Sequence, residues 1–505
     1  MNLTKKLFSY IVAIAMIFTL TAFAGGAVNA ANAKTYQLSL QNNGKTAHTF
    51  EVYQIFTGDL SNDGTLSNVQ WGDGVSKDVL TAFGNAAAKA EELAKSTDSL
   101  AAKTFAEDLQ KYLQNGTEKE VAANQTASID GLAAGYYLVK DKASSQNQTN
   151  GAYTSYILKV VKNTTATTKL DVPTVEKKVQ DTNDSTGETS GWQDSADYDI
   201  GDEIPYQITG TMPANIDAYT SYKYVFTDTM SKGLTYTPNT AKITIDGTEV
   251  TSSFKEEVTQ NADETGKTKV TWSCDDLKTA GKTAGVELTS TTKVVVTYKA
   301  KLNKDAVIGF AGNPNTVNLT YSNNPNKDHE GETGKTPDDK NIVFTYKTVV
   351  NKVDQDGTTP LKGAGFTLQK KVNGEYTDVK TFTAGEDTTF TFSGLDDGEY
   401  KLIESTTPAG YNTITPIEFT ISAKHDETAD EPKLTELTVS KASVGATFTP
   451  NTNEGSLTTN VVNKKGSTLP ETGGMGTTLL YAVGGVLVAL AAAYIIISKK
   501  HEKAE

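Results

Sequence analysis

The sequence predicts a mainly β chain: tandem immunoglobulin-like β-sandwich domains, the first with helical insertions, followed by a C-terminal transmembrane helix. Three observations predict it. Short runs rich in Thr, Val, Tyr and Phe alternate in polarity between Gly, Asp and Asn punctuation, the pattern of half-buried strands and turns. One Ala-rich stretch stands apart as helical, and one long apolar run lies close to the C-terminus. The 505 residues allow several domains, and 37% hydrophobic with 21% charged content excludes a disordered chain. The net charge is −14 and all 47 basic residues are lysine, so phosphate or nucleic-acid recognition is not expected. Cys274 is the sole cysteine, which excludes an intramolecular disulfide. His48, His329, His425 and His501 are too far apart for a local zinc motif, so neither a metal nor a cofactor is expected.

Taken in order, the chain begins with Lys5 and Lys6, an apolar run from Leu7 to Phe23, and small residues ending at Ala30 or Ala33. This is the pattern of a secretory signal peptide, assigned to residues 1–30. Strands follow, among them Tyr36 to Leu40, Tyr222 to Phe226, Val294 to Tyr298 and Phe390 to Phe392. The stretch from Lys77 to Leu113, with Val79, Leu80, Phe83, Leu93, Leu100, Phe105 and Leu109, predicts two or three helices inside the first module. Polar Asn163 to Lys169, closed by Val172-Pro173, reads as a linker. The Asn, Asp and Gly-rich segment from Asn323 to Asp339 reads as a loop near a second boundary. The resulting units are 31–171, 172–345 and 346–465, with 466–505 as a terminal segment, each unit being of β-sandwich size. In that segment residues 479–497 are continuously apolar, long enough to span roughly 30 Å of hydrocarbon. Lys499, Lys500 and Lys503 follow and would hold that end in the cytoplasm, with the rest outside.

Just before the apolar run stands Leu469-Pro470-Glu471-Thr472-Gly473. With the helix and the basic tail it resembles the cell-wall sorting signals of Gram-positive surface proteins. The resemblance implies that a sortase cuts between Thr472 and Gly473, holds the threonine carbonyl as an acyl-enzyme and passes it to an amine. Further text carries a closer resemblance. Leu361 to Phe366, Phe392 to Leu395, Gly398 to Glu404 and Pro408 to Tyr411 look like a collagen-adhesin B-type domain, the stretch ending in Glu404 matching the E-box of shaft pilins. Pro173 to Lys177, Phe226 to Asp228 and Gly312 to Asn315 resemble the middle domain of such pilins. Gly135 to Asp141 follows Gly398 to Glu404 position by position, with Asp in place of Glu. The chain is thus similar to the major (shaft) pilins of sortase-assembled Gram-positive pili, and a structural, non-enzymatic role is implied.

Pilin domains of this type form a spontaneous amide between a lysine and an asparagine, assisted by a carboxyl group. A lysine attacks only as the neutral amine, and burial lowers its pKa while raising that of a nearby carboxyl. All three groups must therefore face the core, and strand alternation tests this because residues two apart share a face. Lys177 is in phase with Val175 and Val179, Asp228 with Tyr222, Tyr224 and Phe226, and Asn315 with Val317, Leu319 and Tyr321. The expected bond joins Lys177 to Asn315, assisted by Asp228. In the third unit Lys352 is in phase with Val350, Asn463 with Val461, and Glu404 with Tyr400 and Leu402. The expected bond there joins Lys352 to Asn463, assisted by Glu404. For the first unit Lys34 has suitable parity, but no bond is assigned.

Shaft pilins also present a lysine to the sortase-bound threonine of the next subunit, in a Tyr-Pro-Lys motif that this sequence lacks. Lys169 occupies the similar place, and Lys162 is the alternative. The implied partners are pilus-specific and housekeeping sortases, identical subunits, minor pilins, peptidoglycan and host surface or matrix ligands. The implied location is the cell surface, reached through a precursor in the plasma membrane. A rival reading is a monomeric wall-anchored adhesin. The Asp354-x-Asp356-Gly357 run reads as a hairpin turn, since the twelfth position of a calcium loop would be Gly365 instead of Glu.

Overall fold

The computed structural model describes residues 34–95, 99–142, 149–168, 171–262, 264–325, 333–443, 446–466 and 475–501. The signal peptide, Lys169 and Leu469 to Gly473 lie outside the described residues. The described fold is mainly β, several β-sandwiches in series built from six sheets.

The first sandwich faces a three-stranded sheet, Tyr36–Gln41 between Thr126–Leu132 and Thr164–Thr167, against a five-stranded sheet around His48–Leu60. Its strand Gly135–Asp141 is buried along nearly its whole length, because both of its faces are covered. Tyr137 and Val139 join the core between the sheets, whereas Tyr136 and Leu138 pack under helices. Those helices are Val79–Phe83, Ala86–Lys95 and Ser99–Asp108, and they place Val79, Ala90, Leu93 and Phe105 on the sheet. The expected linker departs from its reading. Thr164–Thr167 is a strand parallel to Tyr36–Gln41, since threonine fits a pleated surface and Ala166 packs on the core.

The second sandwich has two seven-stranded sheets. One runs through Val175–Asn183, Glu203–Thr211 and Lys293–Leu302; the other runs through Asp339–Phe344, Asn313–Ser322, Tyr224–Met230 and Lys267–Cys274. The strict alternation of buried and half-buried residues along Tyr224–Met230 and Asn313–Ser322 fixes which side chains meet between the sheets. Its core is continuous with that of the first sandwich, and Asn150 N–H donates to the Lys335 carbonyl at 2.8 Å across their contact. The expected loop before Asp339 includes a short strand, Thr333–Lys335, paired with Asn313–Ser322.

The third sandwich pairs a four-stranded sheet, with Tyr346–Val353 between Thr389–Leu395 and Ser456–Val462, with a five-stranded sheet around Gly365–Val372 and Gly398–Thr406. The strand Asp339–Phe344 serves two cores: Val343 points into the second and Ile342 and Phe344 into the third. Asp354 and Gly357 form a tight turn, with Gly357 N–H donating to the Asp354 carbonyl at 2.9 Å. At the C-terminus, Met475–His501 is an α-helix whose described side chains, 480 to 496, are exposed. Among the described residues no helix is long and apolar enough to cross a membrane.

Candidate functional site

In the second sandwich the alternation of Val175–Asn183 sends Lys177 inward, where its side chain is fully buried. Its Nζ bonds the Asp228 carboxylate and donates to the Tyr298 hydroxyl at 2.5 Å. Tyr298 donates to Asp228 Oδ2 at 3.0 Å, and Asn315 Nδ2 donates to the same tyrosine hydroxyl at 2.9 Å. The structure therefore brings Lys177, Asp228 and Asn315 into one pocket, linked through a phenol. The rings of Tyr206 and Tyr298 stack 5.3 Å apart, each with its centroid 5.0 Å from Lys177 Nζ. Lys177 stands on one sheet, and Asp228 and Asn315 on the facing sheet.

Electrostatics in this pocket favour neutral partners. Burial lowers the pKa of Lys177 against the opposing pull of Asp228, and burial raises that of Asp228 against the opposing pull of Lys177. Both shifts weaken the charged pair relative to amine and acid. Two oxygens, Asp228 Oδ1 and Asn315 Oδ1, are buried without a hydrogen-bond partner. An acid proton on Asp228 and a carboxamide under attack are the chemistry that such a pair could serve.

In the third sandwich, Lys352 and Asn463 come from adjacent parallel strands or their ends, and Glu404 from the facing sheet. Lys352 is fully buried and its Nζ donates to the carbonyls of Val353 at 3.1 Å and Val461 at 3.0 Å. Asn463 Nδ2 donates to both Glu404 oxygens, at 2.9 and 3.1 Å, while Asn463 Oδ1 has no partner. Asn463 and Glu404 are thus in direct contact, whereas Lys352 holds backbone carbonyls beside them. Burial brings the Lys352 amine down to about 8, against the opposing field of Glu404.

A third buried lysine behaves oppositely. Lys370 donates to Asp199 at 2.6 Å, Asp396 at 2.9 Å and Asp184 at 3.0 Å. Burial disfavours its charge, but Asp396, Asp199 and Asp184 outweigh burial and raise its pKa. It stays an ammonium and acts as an ionic strut between the second and third sandwiches. Carboxylate number therefore sets Lys370 apart from Lys177 and Lys352.

In the first sandwich Lys34 is exposed, so its parity does not make it a core residue. Asp141, aligned by sequence with Glu404, is buried and receives a 2.7 Å bond from His48 Nδ1. Lys162 is exposed, its carbonyl capped by the Thr164 hydroxyl at 2.8 Å. Sequence reasoning missed Tyr206, Tyr298 and Lys370. Tyr298 was in phase with Val294 and Val296, but only the register Tyr206 to Tyr298 reveals the aromatic walls.

Three family models match the chain: a Gram-positive pilin backbone subunit 2, Cna-B-like domain over 200–325, a prealbumin-like fold domain over 347–433, and an LPXTG cell wall anchor motif over 461–504. The trypsin-resistant surface T6 protein of Streptococcus pyogenes serotype M6 is 25% identical over 401 residues, covering 66% of this chain and 70% of that protein. The solved structure of the T6 backbone pilin of the same serotype shares the fold, with a TM-score of 0.57 at 20% identity over 86% of this chain and 100% of the other. The full-length major pilin SpaD of Corynebacterium diphtheriae gives 0.50 at 19% identity, over 87% and 99%. Serial β-sandwiches ending in a wall anchor define a structural surface protein, not an enzyme. The chain is similar to the Gram-positive backbone pilins, and its pilin backbone domain and LPXTG anchor support a structural shaft subunit of sortase-polymerised, wall-anchored pili.

Proposed function

We propose that this shaft subunit is stitched internally by two side-chain amides, Lys177 to Asn315 and Lys352 to Asn463, with Asp228 and Glu404 assisting. The observation that supports the reading best is a fully buried lysine whose Nζ shares a pocket with one carboxyl and one carboxamide. In the second sandwich the neutral Lys177 amine attacks Cγ of Asn315 while the Asp228 acid hydrogen-bonds the carboxamide oxygen. The C–N bond to the asparagine amide nitrogen then breaks, that nitrogen takes a proton by way of Asp228, and one ammonia leaves. Holding amine and carboxamide together supplies the effective concentration that free side chains lack. The first bond would join opposite sheets of its sandwich and the second neighbouring parallel strands, so tension along the rod would cross covalent bonds.

Units of 31–171, 172–345 and 346–465 would then be the rod's modules. Sortase would transfer Thr472 to Lys169 of the next subunit, with Lys162 the alternative, after the 479–497 helix has held the precursor in the plasma membrane. A pilus sortase would build the shaft with minor pilins, and a housekeeping sortase would attach it to peptidoglycan. Intact-mass measurement of the secreted protein tests the core of this reading. Loss of two ammonia molecules from the sequence mass supports it, and an unmodified mass refutes it.

A further inference from the structure

The contact between the second and third sandwiches buries an excess of acid. Asp181, Asp184, Asp197, Asp199 and Asp202 come from one side, and Asp396 and Asp397, in the turn after Thr389–Leu395, from the other. Two cations of the chain answer part of this charge. Lys370 Nζ sits among Asp184, Asp199 and Asp396. The second is His425, whose Nε2 lies 3.8 Å from Asp197 Oδ1; burial works against its charge, but Asp197 and Asp181 outweigh it and raise its pKa.

Between these two cations lies a third grouping, Asp197, Asp396 and Asp397, each offering an oxygen within 4.8 Å of the others. Each carboxylate already has one oxygen engaged or faced: Asp396 Oδ2 by Lys370, Asp197 Oδ1 by His425, and Asp397 Oδ1 by Asn183 Nδ2 at 2.6 Å. The remaining oxygens of the two buried residues, Asp197 Oδ2 and Asp396 Oδ1, have no partner. A separate side chain points to the same spot. Tyr346, fully buried at the start of its strand, has a hydroxyl with no hydrogen bond of proper geometry, and Asp197, Asp396 and Asp397 are the charges around it. Calcium–oxygen distances of roughly 2.3–2.6 Å put ligands across an ion about 5 Å apart, which this spacing accommodates.

We propose that Asp197, Asp396 and Asp397 bind one hard divalent cation of the calcium class, pinning the second sandwich to the third. A grouping of three carboxylates with no sulfur favours calcium over zinc. The inference is independent of the amide chemistry. No sequence motif announces it, because the ligands are about 200 residues apart.

Terbium, a calcium mimic excited through nearby tyrosine, tests it on the full chain stripped with a chelator. The expected result is tyrosine-sensitised emission that saturates at one ion per chain and is displaced by calcium. Affinity should fall at least tenfold in Asp197→Asn and in Asp397→Asn and be unchanged in Asp356→Asn, an exposed turn elsewhere. Calcium should also raise the melting temperature of the parent chain but not of Asp397→Asn. Absent saturable emission, or emission that Asp197→Asn and Asp397→Asn leave unchanged, overturns the proposal.

Discussion

Replacing Lys177 by Met removes the proposed bond while leaving a side chain of similar length in the pocket. The closed segment from Lys177 to Asn315 is about 140 residues, and chain-entropy arithmetic assigns closure of such a loop about 5 kcal/mol. For a unit of this size each kcal/mol moves the melting point by about 2–4 °C, so Lys177→Met should melt about 10–20 °C lower. Asp228→Ala loses the same closure and also strands a lysine in a pocket with no acid, which adds about 3–5 kcal/mol if the ammonium persists. The order of stability should be parent, then Lys177→Met, then Asp228→Ala. Scanning calorimetry with intact mass on the same samples reads both quantities. A Lys177→Met transition that coincides with the parent, or an Asp228→Ala chain that still lacks the ammonia, refutes the reasoning.

Glu404→Ala should leave the chain one ammonia heavier than the parent and make the third sandwich the first to unfold, visible as earlier proteolysis between Tyr346 and Lys465. Lys169→Ala should abolish the high-mass ladder of wall extracts on denaturing gels, and Lys162→Ala should leave it; the reverse result moves the linkage to Lys162. Gly309 has a φ of +88° and a Cβ there would lie 2.5 Å from the Gly455 nitrogen, so Gly309→Ala should cost about 1–3 kcal/mol by denaturant unfolding. Burial first, and neighbouring acids second, push Asp202 and Asp397 up to about 6 and Asp181 to about 8. Folded pKa values above the unfolded ones give stability that is complete near pH 4 and lost as pH rises through 6 to 8. In chelator the melting temperature should therefore be lower at pH 8.5 than at pH 5.5, and a flat profile would count against the buried acid cluster.

The fold and the inward residues were legible because the strands alternate strictly. Period two alone orients Lys177, Asp228, Asn315, Lys352 and Glu404, and each is buried. The threonine strand Thr164–Thr167 was misread as linker because its text is polar and its partner, Tyr36–Gln41, lies about 125 residues away. The same distance problem hid the tyrosines that wall the Lys177 pocket and the seven acids that meet between the second and third sandwiches. Parity states which way a side chain points, whereas only the folded register states what it meets. Lys370 shows the consequence: it is as buried as Lys177 and Lys352, and only its three carboxylate neighbours mark it as a strut.

Peptide mapping of the secreted protein by tandem mass spectrometry addresses the stitched rod most directly. The expected digest contains two branched peptides, one joining the Lys177 segment to the Asn315 segment and one joining Lys352 to Asn463. Linear peptides carrying an unmodified Lys177 and an intact Asn315 carboxamide would contradict the account.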